Sequence, residues 1–174
     1  MKHHIILVTG GQRSGKSLFA EGLALQHSNA PIYVATAEIH DEEMRRRVAK
    51  HRERRGPNWT TVDEPLDISR YDFSGRTVLI DCVTLWASNH LFAAGEDAEK
   101  ALSRLTQQVD EIANYDNSTI IFVTNEIGLG GTSPNPLQRK FTDLQGSINQ
   151  YIASKARTVY LVVSGIPVMI KDCK

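Results

Sequence analysis

Cysteine is nearly absent from this chain of 174 residues: Cys82 and Cys173 are the only two. One lies in an apolar run and the other near the C-terminal end, so there is no disulfide framework and a reducing compartment is expected. Long hydrophobic runs are missing as well. The opening "MKHHIILVTGG" turns to glycine after a short apolar stretch, too short for a signal-peptide core, and nothing later is long enough to span a membrane. The chain reads as cytoplasmic. Net charge is also absent, with 20 Lys and Arg against 20 Asp and Glu. That argues against a protein whose main business is coating nucleic acid, while leaving room for a local anion site. No low-complexity tract, internal repeat or linker divides the chain, and its length suits one domain, residues 1–174.

What is present is an alternation. "HIILVT" (4–9), "IYVAT" (32–36), "TVLIDC" (77–82), "TIIFVT" (119–124) and "TVYLVV" (158–163) read as strands. Their unbroken apolar character predicts a parallel sheet covered on both faces. "WTTVDE" (59–64) is a weaker strand candidate, and "IPVMIK" (166–171), after an "SG" turn signal, fits an antiparallel edge strand. Helical patterns fall between them: "KSLFAEGLALQ", the basic segment near 41–56, "EDAEKALSRLTQQVDEIANY" and "PLQRKFTDLQGSINQYIASKA". The expectation is a three-layer α/β domain with right-handed crossovers.

The first strand runs into "GGQRSGKS", residues Gly10, Gly11, Gln12, Arg13, Ser14, Gly15, Lys16 and Ser17, which fits G-x-x-x-x-G-K-[ST]. With a strand before it and a helix after it, this is the context a phosphate-binding loop needs. Its glycines let backbone N–H groups turn toward phosphate oxygens, and the helix N-terminus adds positive potential. Lys16 would reach the β- and γ-phosphates and Ser17 would ligate Mg²⁺. Asp81, closing a later strand, stands where a carboxylate holding the metal's water shell belongs. The bland alternatives are a glycine-rich turn and a strand-end Asp that starts a turn.

Between Arg45 and Arg55, seven of the 20 Lys and Arg residues surround one histidine, His51. Asp41 is placed to cap this helix and Glu42 and Glu43 suit its first turn. Met44, Val48 and His51 then share a face at helical spacing, and Arg55 extends it. Three readings compete here. One is a solvated basic helix with a packed histidine. A second is a nucleic-acid patch, which lacks interleaved aromatics. The third is a triphosphate site with His51 as nucleophile, its imidazole kept neutral by neighbouring cations.

Taken together, "ILVTGGQRSGKS", "YVATAE", "DEEMRRRVAKHRERRGPNW", "TVDEP", "LIDCVTLWASN", "TNEIGLGG", "FTDLQGSINQ" and "VVSGIPVMIK" resemble the bifunctional adenosylcobinamide kinase/adenosylcobinamide-phosphate guanylyltransferase family of cobalamin assembly. The matching stretches run in order along nearly the whole chain. The resemblance implies a RecA-like P-loop fold, a homotrimer and two reactions. A nucleoside triphosphate, GTP or ATP, phosphorylates adenosylcobinamide. GTP then guanylylates a histidine, and the GMP passes to adenosylcobinamide phosphate. The position matching that histidine is His51; His40 does not match. The resemblance also implies nucleotide contacts at Gly10 to Ser17, at Ala35, Thr36 and Ala37, at Arg52, Glu53, Arg54 and Arg55, and at Asp63 and Asp81. Asp63 stands where the family often has Glu, and Thr142 and Ser147 stand where arginine is frequent. "GTSPNP" replaces the usual apolar-proline continuation after "TNEIGLG", in the region expected to shape the corrinoid side.

Other candidates remain open. Asn125 and Glu126 follow a strand directly, where α/β proteins bind ligands; the alternative is a solvated turn. Arg139 and Gln150 suit solvated or packing roles, Trp59 and Trp86 core or subunit contacts, and Cys82 packing. Two functional rivals also stand: a single-step P-loop kinase, and a GTP-dependent binding module that forms no covalent adduct.

Overall fold

A computed structural model describes residues 4–39 and 42–173, apart from the side chains of Met44 and Arg47. His40, the capping position Asp41 and the Met44 side chain therefore lie outside the described residues.

Seven strands form one sheet: β1 (His4–Gly10), β2 (Ile32–Ala35), β3 (Thr60–Asp63), β4 (Thr77–Asp81), β5 (Thr119–Val123), β6 (Thr158–Val163) and β7 (Ile166–Asp172). Their order is β3-β2-β4-β5-β1-β6-β7, all parallel except the β6–β7 hairpin. The helices are α1 (Lys16–His27), α2 (Glu42–Arg55), α3 (Val83–Ala93), α4 (Ala98–Ala113) and α5 (Pro136–Lys155).

The apolar strands are explained by burial on both faces. Ile5 and Leu7 of β1, Val78 and Ile80 of β4, and Ile120 and Phe122 of β5 pack on the side covered by α3, α4 and α5. Their alternates Ile6, Val8, Leu79, Ile121 and Val123 pack on the α1 side. Each such side chain contributes about 1.5–3 kcal/mol from removal of apolar surface from water. The weak candidate at 59–64 is β3, a short edge strand, and 166–171 is the antiparallel edge as expected.

One helix lacked a sequence signal. In α3, Val83, Trp86, Ala87, His90 and Leu91 are buried at helical spacing, but Phe92 on the outside is 60% exposed. Apolar residues on both sides erase the amphipathic contrast that marks α4. Trp86 proves to be core, with no exposed surface, and its Nε1 donates to the Leu66 carbonyl at 2.9 Å.

The register brings three strand ends level. Ala35 pairs with Asp81, Asp81 with Val123, and Val8 with Val123. From β1 the chain crosses to β2, three positions to one side, whereas from β5 it crosses to β6, two positions to the other side. That reversal opens a crevice at the C-terminal edge of the sheet.

Candidate active site

The glycine loop begins where β1 ends. A Cβ on Gly10 would lie 2.5 Å from the Val162 carbonyl oxygen and 2.7 Å from Ser14 Oγ, so only glycine fits between β6 and the returning loop. Arg13 (φ 57°) and Gly15 (φ 92°) take left-handed conformations that close the turn. The Ser14 N–H donates to Gly11 O at 3.2 Å, and the Gly165 N–H at the β6–β7 turn donates to Ser14 O at 2.7 Å, bracing the loop from behind. No side chain caps the start of α1, whose first residues are Lys16 and Ser17. Lys16 is buried and its Nζ donates to Gly11 O at 3.0 Å. Burial lowers the Lys16 pKa, with Asp81 and Cys82 opposing.

Asp81 faces the loop from the end of β4. One of its oxygens, Oδ2, accepts from Tyr33 Oη at 3.0 Å. Burial and this carboxylate push the Tyr33 phenol well above its ordinary range, so it stays a donor. Ser17 and Asp81 line one cavity together. No group of three or more His, Cys, Asp or Glu side chains among the described residues is placed to hold a metal. A hydroxyl and a single carboxylate fit Mg²⁺, which keeps most of its shell for water and phosphate oxygens. The Thr36 side chain is committed within the protein. Fully buried, its hydroxyl donates to Cys82 O and accepts from Cys82 N, both at 2.8 Å, clasping the ends of β2 and β4.

The basic helix α2 is held by its arginines. Arg54 grips Glu21 of α1 through two bonds, Nε to Oε2 at 2.9 Å and Nη2 to Oε1 at 2.6 Å, and the Glu21 side chain is only 7% exposed. Arg55 lies over the Tyr33 ring, 3.4 Å from its centroid, with Nε and Nη1 buried and unpartnered among the described residues. Arg52 bonds both Asp63 oxygens, at 2.7 and 2.6 Å, on the exposed surface. Exposed ion pairs of this kind contribute little, so Asp63→Asn is expected to change unfolding free energy in urea by less than about 1 kcal/mol.

These anchors turn His51 inward. Its pKa is lowered, first by burial and then by Arg54 and Arg55, against Asp81 and Glu21. The expected cause was clustered cations alone; desolvation is the larger one. Arg54 Nη2 stands 3.4 Å from His51 Nδ1. A guanidinium only donates, so the contact favours an unprotonated Nδ1 and a neutral ring.

Two cavities meet at this histidine. One, of about 570 Å³, joins Gln12, Lys16 and Ser17 to Ala35 and Ala37 beyond β2, to Asp81, and to His51 and Arg55. The other, of about 800 Å³, lies outside the loop and joins residues from Gln12 to Ser17 with His51, Glu53 and Arg54. Gln12, Lys16, Ser17 and His51 line both. Gly10, Gly11, Thr36, Arg52 and Asp63 line neither. Of these, Gly10 and Gly11 serve through backbone carbonyls, accepting from Glu126 N at 3.1 Å and from Lys16.

Sequence reasoning did not single out Tyr33, Glu21 or Thr84. A glutamate on the buried face of α1, beside Ala20, Leu23 and Ala24, was the available sign that a cation must meet it. Thr84 Oγ1 accepts from both the backbone N (3.0 Å) and Nδ2 (3.1 Å) of Asn125. Asn149 and Gln145 of α5 close a buried network on Thr124: Thr124 Oγ1 donates to Asn149 Oδ1 at 2.7 Å, and Gln145 Nε2 donates to Thr124 Oγ1 at 2.9 Å. Asn125 and Glu126 are thereby fixed on the first cavity's wall. Arg139 instead donates to the carbonyls of Ser133 and Pro134.

A strand, a glycine loop and a helix start bearing Lys16 and Ser17, facing Asp81 across a mostly parallel sheet, define a P-loop nucleotide-binding α/β protein. Its fold is similar to that of an ATPase from the type III secretion system of pathogenic bacteria, at 16% identity and a TM-score of 0.54, covering 91% of this chain and 50% of that one. The family model described as cobinamide kinase / cobinamide phosphate guanyltransferase matches residues 6–170. The bifunctional adenosylcobalamin biosynthesis protein CobP of Pseudomonas aeruginosa is 39% identical over 169 residues, 95% of this chain and 96% of that protein. The bifunctional adenosylcobalamin biosynthesis protein CobU of Escherichia coli is 39% identical over 181 residues, 96% of this chain and 99% of that protein. The chain belongs to the cobinamide kinase/cobinamide phosphate guanyltransferase family of enzymes.

Proposed function

We propose that this chain, as one catalytic domain over residues 1–174, phosphorylates adenosylcobinamide and then transfers GMP to the product through a guanylyl-histidine at His51. The observation that carries the reading is that His51 stands on the wall shared by two cavities, beside Lys16 and Ser17. In the first reaction the acceptor hydroxyl oxygen bonds the γ-phosphorus of ATP or GTP and the nucleoside diphosphate leaves. In the second, a neutral His51 nitrogen bonds the α-phosphorus of GTP and pyrophosphate leaves. A phosphate oxygen of adenosylcobinamide phosphate then takes the GMP, freeing His51 and giving adenosylcobinamide-GDP.

Lys16 and the loop N–H groups hold the triphosphate, and Arg55, which lines the same cavity, adds positive charge to it. Ser17 and Asp81 would hold Mg²⁺, which supplies charge neutralisation on the phosphates. Arg52, Glu53, Arg54 and Asp63 complete the nucleotide run by family analogy. We also propose that the chain acts as a homotrimer. The β6–β7 hairpin supports this, since Val163, Ile166, Val168, Met169 and Ile170 are 48–66% exposed and call for cover.

Incubation with Mg²⁺ and GTP labelled at the α-phosphate, followed by denaturation and intact-mass analysis, tests the covalent step. The expected result is one acid-labile, GMP-sized adduct with pyrophosphate released. Phosphorylation without an adduct would leave a single-step kinase. GTP retained or hydrolysed without either would indicate a binding module.

A further inference from the structure

We propose that Glu126 is the general base of the kinase reaction, the group that takes the proton from the acceptor hydroxyl. This rests on the kinase reading above. The carboxylate shares the 570 Å³ cavity with Lys16 and Ser17, the groups that mark the triphosphate end. It is half-buried, and among the described residues its side chain makes no ion pair or hydrogen bond. Its backbone, by contrast, is tightly placed. The Glu126 N–H donates to Gly10 O at 3.1 Å, and the Thr124 N–H donates to Val8 O at 3.0 Å. Asn125 is held by Thr84, and its carbonyl accepts from Asn149 Nδ2 at 3.3 Å. An uncommitted carboxylate on a rigid mount is what a proton acceptor requires.

The other proton acceptors of this cavity have other work. Asp81 already accepts from Tyr33 and stands across from Lys16 as the metal's carboxylate. His51 is the nucleophile of the second reaction. The Tyr33 hydroxyl is spent donating to Asp81 at 3.0 Å, and Cys82 is clasped to Thr36 through both its backbone N–H and its carbonyl. Glu126 remains. In the step, the hydroxyl proton moves to a Glu126 carboxylate oxygen as the hydroxyl oxygen bonds the γ-phosphorus. The bond from that phosphorus to the β,γ-bridging oxygen breaks, and its electron pair leaves with the nucleoside diphosphate. Glu126 then gives up the proton to water.

The test measures Glu126→Gln and Glu126→Asp in the full chain, with Mg²⁺, ATP or GTP, and cobinamide as acceptor. Because phosphoryl transfer passes through a loose transition state that asks only modest help from a base, kcat of the Gln variant should fall about 100-fold. KM for nucleotide should stay within about threefold, as should GMP loading of His51, which also reports that the variant is folded. The Asp variant should recover part of the rate. A Gln variant with kcat within about threefold of wild type, or equal loss of both reactions, overturns the assignment. Wild-type protein that phosphorylates no cobinamide would instead overturn the kinase reading on which it stands.

Discussion

His51→Ala is expected to abolish the GMP adduct and, with it, all transfer to cobinamide phosphate, while phosphorylation of cobinamide persists. No neighbour offers a substitute nucleophile. The Cys82 thiol is held protonated with a pKa pushed up to about 12, and Lys16 is committed to the loop. Loss of the adduct in intact-mass analysis, with nucleotide binding retained, is the check. Retention of an adduct on another residue would remove His51 from its role. The pH dependence follows from the lowered pKa. On the proposed reading the neutral ring is the nucleophile, so the wild-type loading rate should keep more than half its plateau value at pH 6.5, where an ordinary histidine is half protonated, and reach its midpoint only below that. A drop centred at or above 6.5 would contradict the effect of burial. The same lowering has a stability sign. As pH falls through 6.5 the unfolded chain protonates this histidine first, so His51 leaves stability unaffected above that pH and weakens the fold below it.

The parts of this design that were legible in the sequence are those fixed by local chemistry. Gly10 to Ser17 could be read because a loop that turns N–H groups onto phosphate needs small residues at fixed places, whatever surrounds them. The strands were legible because Ile5 to Val8 are buried alternately on two faces, which leaves no polar position to blur the run. Helical spacing correctly put His51 on the inward side of α2. Its partners could not be read, since Glu21 and Tyr33 lie on other elements and meet Arg54 and Arg55 only through the fold. Thr36 shows the same limit. Nothing in "YVATA" shows that its hydroxyl joins two strand ends, because the partner, Cys82, lies on another element. The network of Thr124, Gln145 and Asn149 was likewise hidden, because a buried amide on a helix looks like a solvated one until the neighbouring strand is in place.

Lys16→Ala should lower phosphorylation of cobinamide and guanylylation of His51 alike, each by about 10²–10³-fold, the cost of removing one positioned charge from developing phosphate charge. Folding should not suffer. Lys16 is 8% exposed and burial lowers its pKa, so the native state already bears a cost for keeping this ammonium charged. The urea midpoint of the variant should equal or exceed that of wild type. Lys16→Arg should not restore the rates. A planar guanidinium cannot occupy the place of a compact ammonium that sits 3.0 Å from the Gly11 carbonyl inside the loop. The symmetry of the loss is the informative part. Lys16, Ser17 and His51 border both cavities, so on the proposed reading one cradle would present the γ-phosphorus to an acceptor and the α-phosphorus to His51. If Lys16→Ala removed phosphorylation but left GMP loading intact, the two reactions would have to use separate triphosphate positions. The 800 Å³ cavity bordered by Lys50, Glu53 and Arg54 would then be where the guanylyl donor binds.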